Sequence, residues 1–105
     1  MRRIVSGYVD DVTLSRRLST LMVLQSNEGS AGDDLLRVCL RQLGYRGRNA
    51  SDEALASDAL ALEAAGLVRI VYCLSCRTLD LTARGLAYLD RRIDPIPGIA
   101  YPDIA

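Results

Sequence analysis

Between residues 62 and 89 the chain runs through a helix end, a short β-rich stretch and a helix start, an order that few small folds accommodate. Leu62-Glu63-Ala64-Ala65 leads to Gly66, the residue type that most easily takes the left-handed conformation ending a helix. Leu67 and Val68 then turn into the core. Residues 67–73 are rich in β-branched and aromatic side chains, Leu74-Ser75-Cys76 is a turn, and residues 77–81 return as the second strand of a short antiparallel hairpin. Thr82 is placed to cap a last helix over about residues 82–91, with Leu86 and Leu89 facing inward. A plain helical bundle leaves Val68 to Tyr72 unexplained, and an α+β sandwich needs more strands than the chain offers.

Upstream, Leu14, Leu18, Leu21 and Leu24 or Gln25 share one stripe of a first helix with Thr13 as its cap, and Asn27-Glu28-Gly29-Ser30 breaks it. Gly32-Asp33-Asp34 opens a second helix with acids at its positive end. Its inner stripe is Leu36, Cys39, Leu40 and Leu43, and Gly44 stops it. Tyr45-Arg46-Gly47-Arg48-Asn49 is a turn, and Asn49 or Ser51 caps a third helix over about residues 52–65, with Leu55, Ala59 and Leu62 inside. The expected class is mainly α with a small β-hairpin, in the order α-α-α-β-β-α of a winged helix-turn-helix. One such domain over residues 1–92 is followed by an extended tail, 93–105, which holds all three prolines, Pro95, Pro97 and Pro102.

With 105 residues, half of them apolar, the chain has material for one core, and with five Tyr but no Phe or Trp that core must be Leu, Val, Ile and Ala. Met1-Arg2-Arg3-Ile4-Val5 lacks the apolar run of a secretory signal, and no stretch reaches the roughly 18–20 apolar residues of a membrane span. Three cysteines, Cys39, Cys73 and Cys76, cannot all pair within one chain and fit a reducing compartment. The expectation is a cytoplasmic protein with no membrane association.

The corner Leu62-Glu63-Ala64-Ala65-Gly66-Leu67-Val68, followed by Leu79-Asp80-Leu81-Thr82-Ala83-Arg84-Gly85, resembles the way bacterial winged-helix regulators leave helix three and the wing. Over roughly residues 13–97, length, element order and the Pro-Gly tail look like small winged-helix, arsenic-repressor-type proteins of Mu-like transposable phages and prophages. That resemblance implies a dimeric transcriptional regulator that binds double-stranded DNA.

Charge argues against ordinary base reading. The chain is neutral, with thirteen basic residues, all Arg, against thirteen acids. Residues 1–48 carry a balance of plus three and residues 69–92 plus three, but residues 49–68 carry minus four, from Asp52, Glu53, Asp58 and Glu63. The helix that would enter a major groove is the acidic part of the chain, so inserting it would bring carboxylates towards phosphates. DNA contact would instead fall to Arg46, Arg48, Asn49 and Ser51 before helix three and to Arg69 and Arg77 near the wing. The competing reading has these Arg side chains paired on the surface with Asp52, Glu53 or Asp80.

Protein association is the alternative function: an interaction module within a phage regulatory or packaging assembly. The third helix is Ala-rich with Leu60 off its inner stripe, and the tail carries Ile93, Ile96, Ile99 and Tyr101 in a segment that cannot be helical. Each can meet a partner or a second copy, or be covered by the chain itself. Cys73 and Cys76 have CxxC spacing, yet a structural zinc site needs about four ligands and the chain has no His, so they read as small hairpin residues. No metal and no cofactor is expected. The absence of His also removes the usual Ser or Cys general base, and adjacent acid pairs such as Asp33-Asp34 diverge, so no enzyme is expected.

Overall fold

A computed structural model describes residues 10–103; residues 1–9 and 104–105, the first part of the expected 1–92 domain and the end of the tail, lie outside the described residues. Helix α1 (Asp11–Ser26) starts one turn earlier than its leucine stripe suggests, because the Asp10 carboxylate accepts the Thr13 backbone N–H at 2.8 Å. Thr13, the expected cap, therefore lies inside the first turn. An acid satisfies both an orphan N–H and the positive helix end, which a hydroxyl does not. The same N–H holds the Asp10 carboxyl below its ordinary pKa. Leu21 and Leu24 are buried, Gln25 is exposed, and Leu14 and Leu18 are half-buried.

Strand β1 (Ser30–Gly32) follows where only a helix break was expected. It pairs antiparallel with the hairpin's return strand, Ala31 opposite Leu79, and the Ser30 hydroxyl donates to Asp80 at 2.8 Å. Helix α2 (Asp33–Gln42) buries Leu36 and Leu40, but Leu43 is 59% exposed. The helix ends before Leu43, Gly44 takes φ +105°, and Tyr45, not Leu43, packs against the core. A 3-10 turn, Gly47–Ala50, leads to α3 (Asp52–Ala64), capped by Ser51, whose hydroxyl accepts the Ala54 N–H at 3.1 Å. Leu55, Ala59 and Leu62 face inward as their spacing requires.

The Gly66 corner forms as read. Gly66 has φ +79°, its N–H donates to the Glu63 carbonyl, and Leu67 and Val68 are buried. Strands β2 (Val68–Cys73) and β3 (Cys76–Leu81) pair from Val68 opposite Leu81 to Cys73 opposite Cys76. Cys76 thus belongs to the return strand, and the turn is Leu74-Ser75 alone. With β1 they make a three-stranded antiparallel sheet in the order β1-β3-β2.

Helix α4 (Ala83–Leu89) is capped by Thr82, which accepts the Gly85 N–H at 3.0 Å. Its buried side is Gly85 and Tyr88, with Leu89 half-buried; Leu86, expected inside, is exposed. The cause is close approach. A Cβ on Gly85 would stand 2.2 Å from the Leu67 carbonyl oxygen, so the helix lies down on its glycine side and turns Leu86 outward. The tail then folds back over the body. The Ala100 N–H donates to the Leu14 carbonyl at 3.2 Å, and the Tyr88 hydroxyl donates to the Ile99 carbonyl at 3.0 Å. The described part is therefore a small compact domain of four helices and a three-stranded antiparallel sheet.

Candidate functional site

The starts of α2 and α3 and the hairpin converge on one polar cleft of about 590 Å³. Asp33 and Asp34 are there because acids are favoured in the first turn of a helix, and Asp52 opens α3 for the same reason. Arg77 is there because it alternates with Leu79 on the inward face of β3, one step beyond the core. Its guanidinium grips Asp33 with Nη2 at 2.9 Å and Nε at 3.2 Å from Oδ2. Arg37 spans Asp34 and Asp52. Three carboxylates and two guanidiniums alternate across this cleft, so it presents no continuous positive band.

The remaining proposed DNA contacts fall elsewhere. Arg69 lies 3.7 Å from Asp80 on the opposite face of the sheet and is largely exposed. Ser51 is occupied as the α3 cap, and the Asn49 side-chain oxygen accepts from Arg16 Nη1 at 3.1 Å. Arg46 and Arg48 are exposed, and their side chains make no hydrogen bond or ion pair among the described residues. Arg48 lines a second cleft, of about 480 Å³, together with Asp10, Arg16, Arg17 and Glu53. Arg48, Asn49 and Ser51 thus share this second cleft, whereas Arg77 lines the first and Arg69 lies on the other face of the sheet.

Sequence reasoning missed the strongest electrostatic feature. Asp58 is 1% exposed and Arg16 4%. Arg16 donates to Asp58 through Nε at 2.6 Å and Nη2 at 3.0 Å, and Arg17 adds Nε at 3.0 Å while its Nη1 reaches the Gly98 carbonyl at 3.1 Å. The Asp58 hydrogen bond raises the Arg16 pKa against the opposing effect of burial. Asp58 therefore does not contribute to the acidity of the α3 surface; it ties α3 to α1 and the tail. The signal was present: Asp58 stands three residues after Leu55 and four before Leu62, on the same inner stripe.

No protein-family model matches the chain, and no curated protein matches it. Its own surface is therefore what bears on function. Between α1 and α2 runs a groove of about 330 Å³, lined by Met22, Val23, Leu35, Cys39 and Leu43, with only the uncharged Ser26, Asn27 and Gln42 as polar lining. Met22, Leu35 and Leu43 are all exposed, and Val38 extends the apolar surface along α2. Apolar spacing alone puts Leu43 in the core, which hides the groove from the sequence.

The expected interface residues are distributed differently. Leu60 is 61% exposed on the outer side of α3. Ile99 is buried in the chain's own core, and Ile93, Ile96 and Tyr101 pack partly buried against it. Tyr101 meets Tyr88 edge to face at 5.4 Å, and the Arg91 guanidinium lies 5.0 Å from its ring centroid. Among the described residues, no helix is long and apolar enough to cross a membrane, and no three or more Cys, Asp or Glu side chains converge as metal ligands.

Proposed function

We propose that the chain is a winged-helix domain that serves protein association rather than base reading, and that it pairs with a second copy through the α1–α2 groove. The winged-helix reading is supported by the element order, with β1 between the first two helices and the β2–β3 hairpin between the last two. The observation that carries the functional reading is the alternating charge of the cleft formed by α2, α3 and the hairpin. A DNA-binding winged helix needs uncompensated positive charge there. Here Arg77 and Arg37 are spent on Asp33, Asp34 and Asp52. In this reading the module belongs to a phage regulatory or packaging assembly.

A second copy suits the groove because a two-fold interface sets a surface against itself. A charged patch would oppose its own sign, whereas among the described residues no charged side chain lines this groove. Light scattering or sedimentation over a concentration series tests the pairing. The chain dimerises, and Leu43→Glu or Met22→Glu yields a monomer with unchanged helicity. A wild-type chain that stays monomeric throughout contradicts the proposal.

One observation favours a second reading, contact with the DNA backbone: Arg46 and Arg48 remain free of partners among the described residues. Two arginines supply few phosphate contacts, so binding would be weak and strongly salt-dependent. Reversing both charges would abolish it.

A further inference from the structure

Cys73 and Cys76 stand directly opposite each other as the last pair of the β2–β3 hairpin, and both are free and exposed. Residues paired across antiparallel strands project from the same face, with Cβ atoms about 4.5–5.5 Å apart. A disulfide needs roughly 3.5–4.5 Å between Cβ atoms and about 5.5–6 Å between Cα atoms, the latter close to the spacing of such a pair. Closing the bond therefore asks the strands to draw together by only about 1 Å at the hairpin tip, where both thiols are exposed.

The turn between them is unusual as well. Leu74 is 101% exposed and has φ +56°, the left-handed region that bulky side chains avoid. A large apolar residue is thus held in a strained conformation in full solvent, between two accessible thiols. Among the described residues no third ligand converges with them to complete a metal site. Their chemistry is that of two thiols.

We propose that Cys73 and Cys76 form a reversible dithiol–disulfide couple at the hairpin tip, oxidised by low-molecular-weight disulfides. One thiolate attacks a sulfur of the small disulfide, whose S–S bond breaks. A mixed disulfide forms, and one small thiol leaves after taking up a proton. The second cysteine, as thiolate, attacks the protein sulfur of that mixed disulfide and expels the other small thiol. The two cysteines lose two electrons, the small disulfide gains them, and two small thiols are released. This couple is independent of the association reading above.

Glutathione disulfide added to the reduced full-length chain tests it. Trypsin cuts after Arg69 and Arg77, so both cysteines fall in the single peptide 70–77. That peptide is expected to lose two hydrogens and to regain them with dithiothreitol, with doubly glutathionylated peptide below about a tenth of the internal disulfide, because the second attack is intramolecular. In Cys76→Ser, which cannot resolve, Cys73 retains one glutathione. Accumulation of glutathione on both cysteines, a disulfide formed only between chains, or a peptide left unmodified overturns the proposal.

Discussion

Two sets of Asp–Arg contacts, alike in chemistry and different in burial, divide the work of this molecule. Arg16, Arg17 and Asp58 are enclosed between α1, α3 and the tail, whereas in the cleft by the hairpin Arg77–Asp33 is half-buried and Arg37 reaches the exposed carboxylate of Asp52. A buried carboxylate whose partners remain is costly to remove, about 3–5 kcal/mol, because the guanidiniums are left uncompensated. An exposed pair is worth about 0.2–1 kcal/mol, since water and salt replace it. The buried set therefore specifies how the helices and tail meet, and the open set specifies what the surface can attract.

The largest effect that could break this comparison is Asp58→Asn. It is expected to lower unfolding stability by about 3–5 kcal/mol in urea titrations. A loss under 1 kcal/mol would make the buried set no different from the surface set.

The tail offers the next test, because Arg17 and Tyr88 both hold its carbonyl groups. Tyr88→Phe removes the one O–H proton shared between the Ile99 and Ala100 carbonyls and is expected to cost about 1–2 kcal/mol, read as a lower thermal midpoint.

The same hydroxyl gives a pH dependence. Burial raises the Tyr88 pKa above its ordinary value of 10.0. A group raised in the folded state contributes stability that is complete below its unfolded pKa and is lost as pH climbs through the folded one. Stability should thus fall above about pH 10, and Tyr88→Phe should flatten that fall. An equally steep fall in the variant would detach the tail from Tyr88 titration.

The smallest effect is expected at the surface. Asp52→Asn or Arg37→Gln should change stability by less than about 1 kcal/mol, with a coupling no larger in a double-mutant cycle. A coupling of several kcal/mol would erase the distinction between the two sets.

The sequence revealed most of the elements, and where it did not the physical reasons are specific. The Gly66 corner, the Thr82 cap and the α3 stripe were legible because each depends on neighbours within a few residues. Strand β1 was not, since Ser30-Ala31-Gly32 has no strand pattern and exists only because β3 offers it an edge. Leu86 and Leu43 misled because apolar spacing cannot show where a helix stops or which side lies against a glycine. Asp58 misled in the opposite way. Its carboxylate counts as surface charge in the sequence, because its partners, Arg16 and Arg17, lie more than forty residues away. The candidate site suffered most, since the groove depends on Leu43 and the cleft on pairings between distant elements.

In the proposed reading, paired acids keep the cleft between α2, α3 and the hairpin from holding DNA. Fluorescence anisotropy of a labelled random duplex, titrated at low salt, decides whether they do. The wild-type chain should give no saturable binding in the micromolar range, and the triple change Asp33→Asn, Asp34→Asn, Asp52→Asn, which frees Arg37 and Arg77, should create binding that weakens steeply with added salt. Micromolar, salt-sensitive binding by the wild-type chain would contradict it.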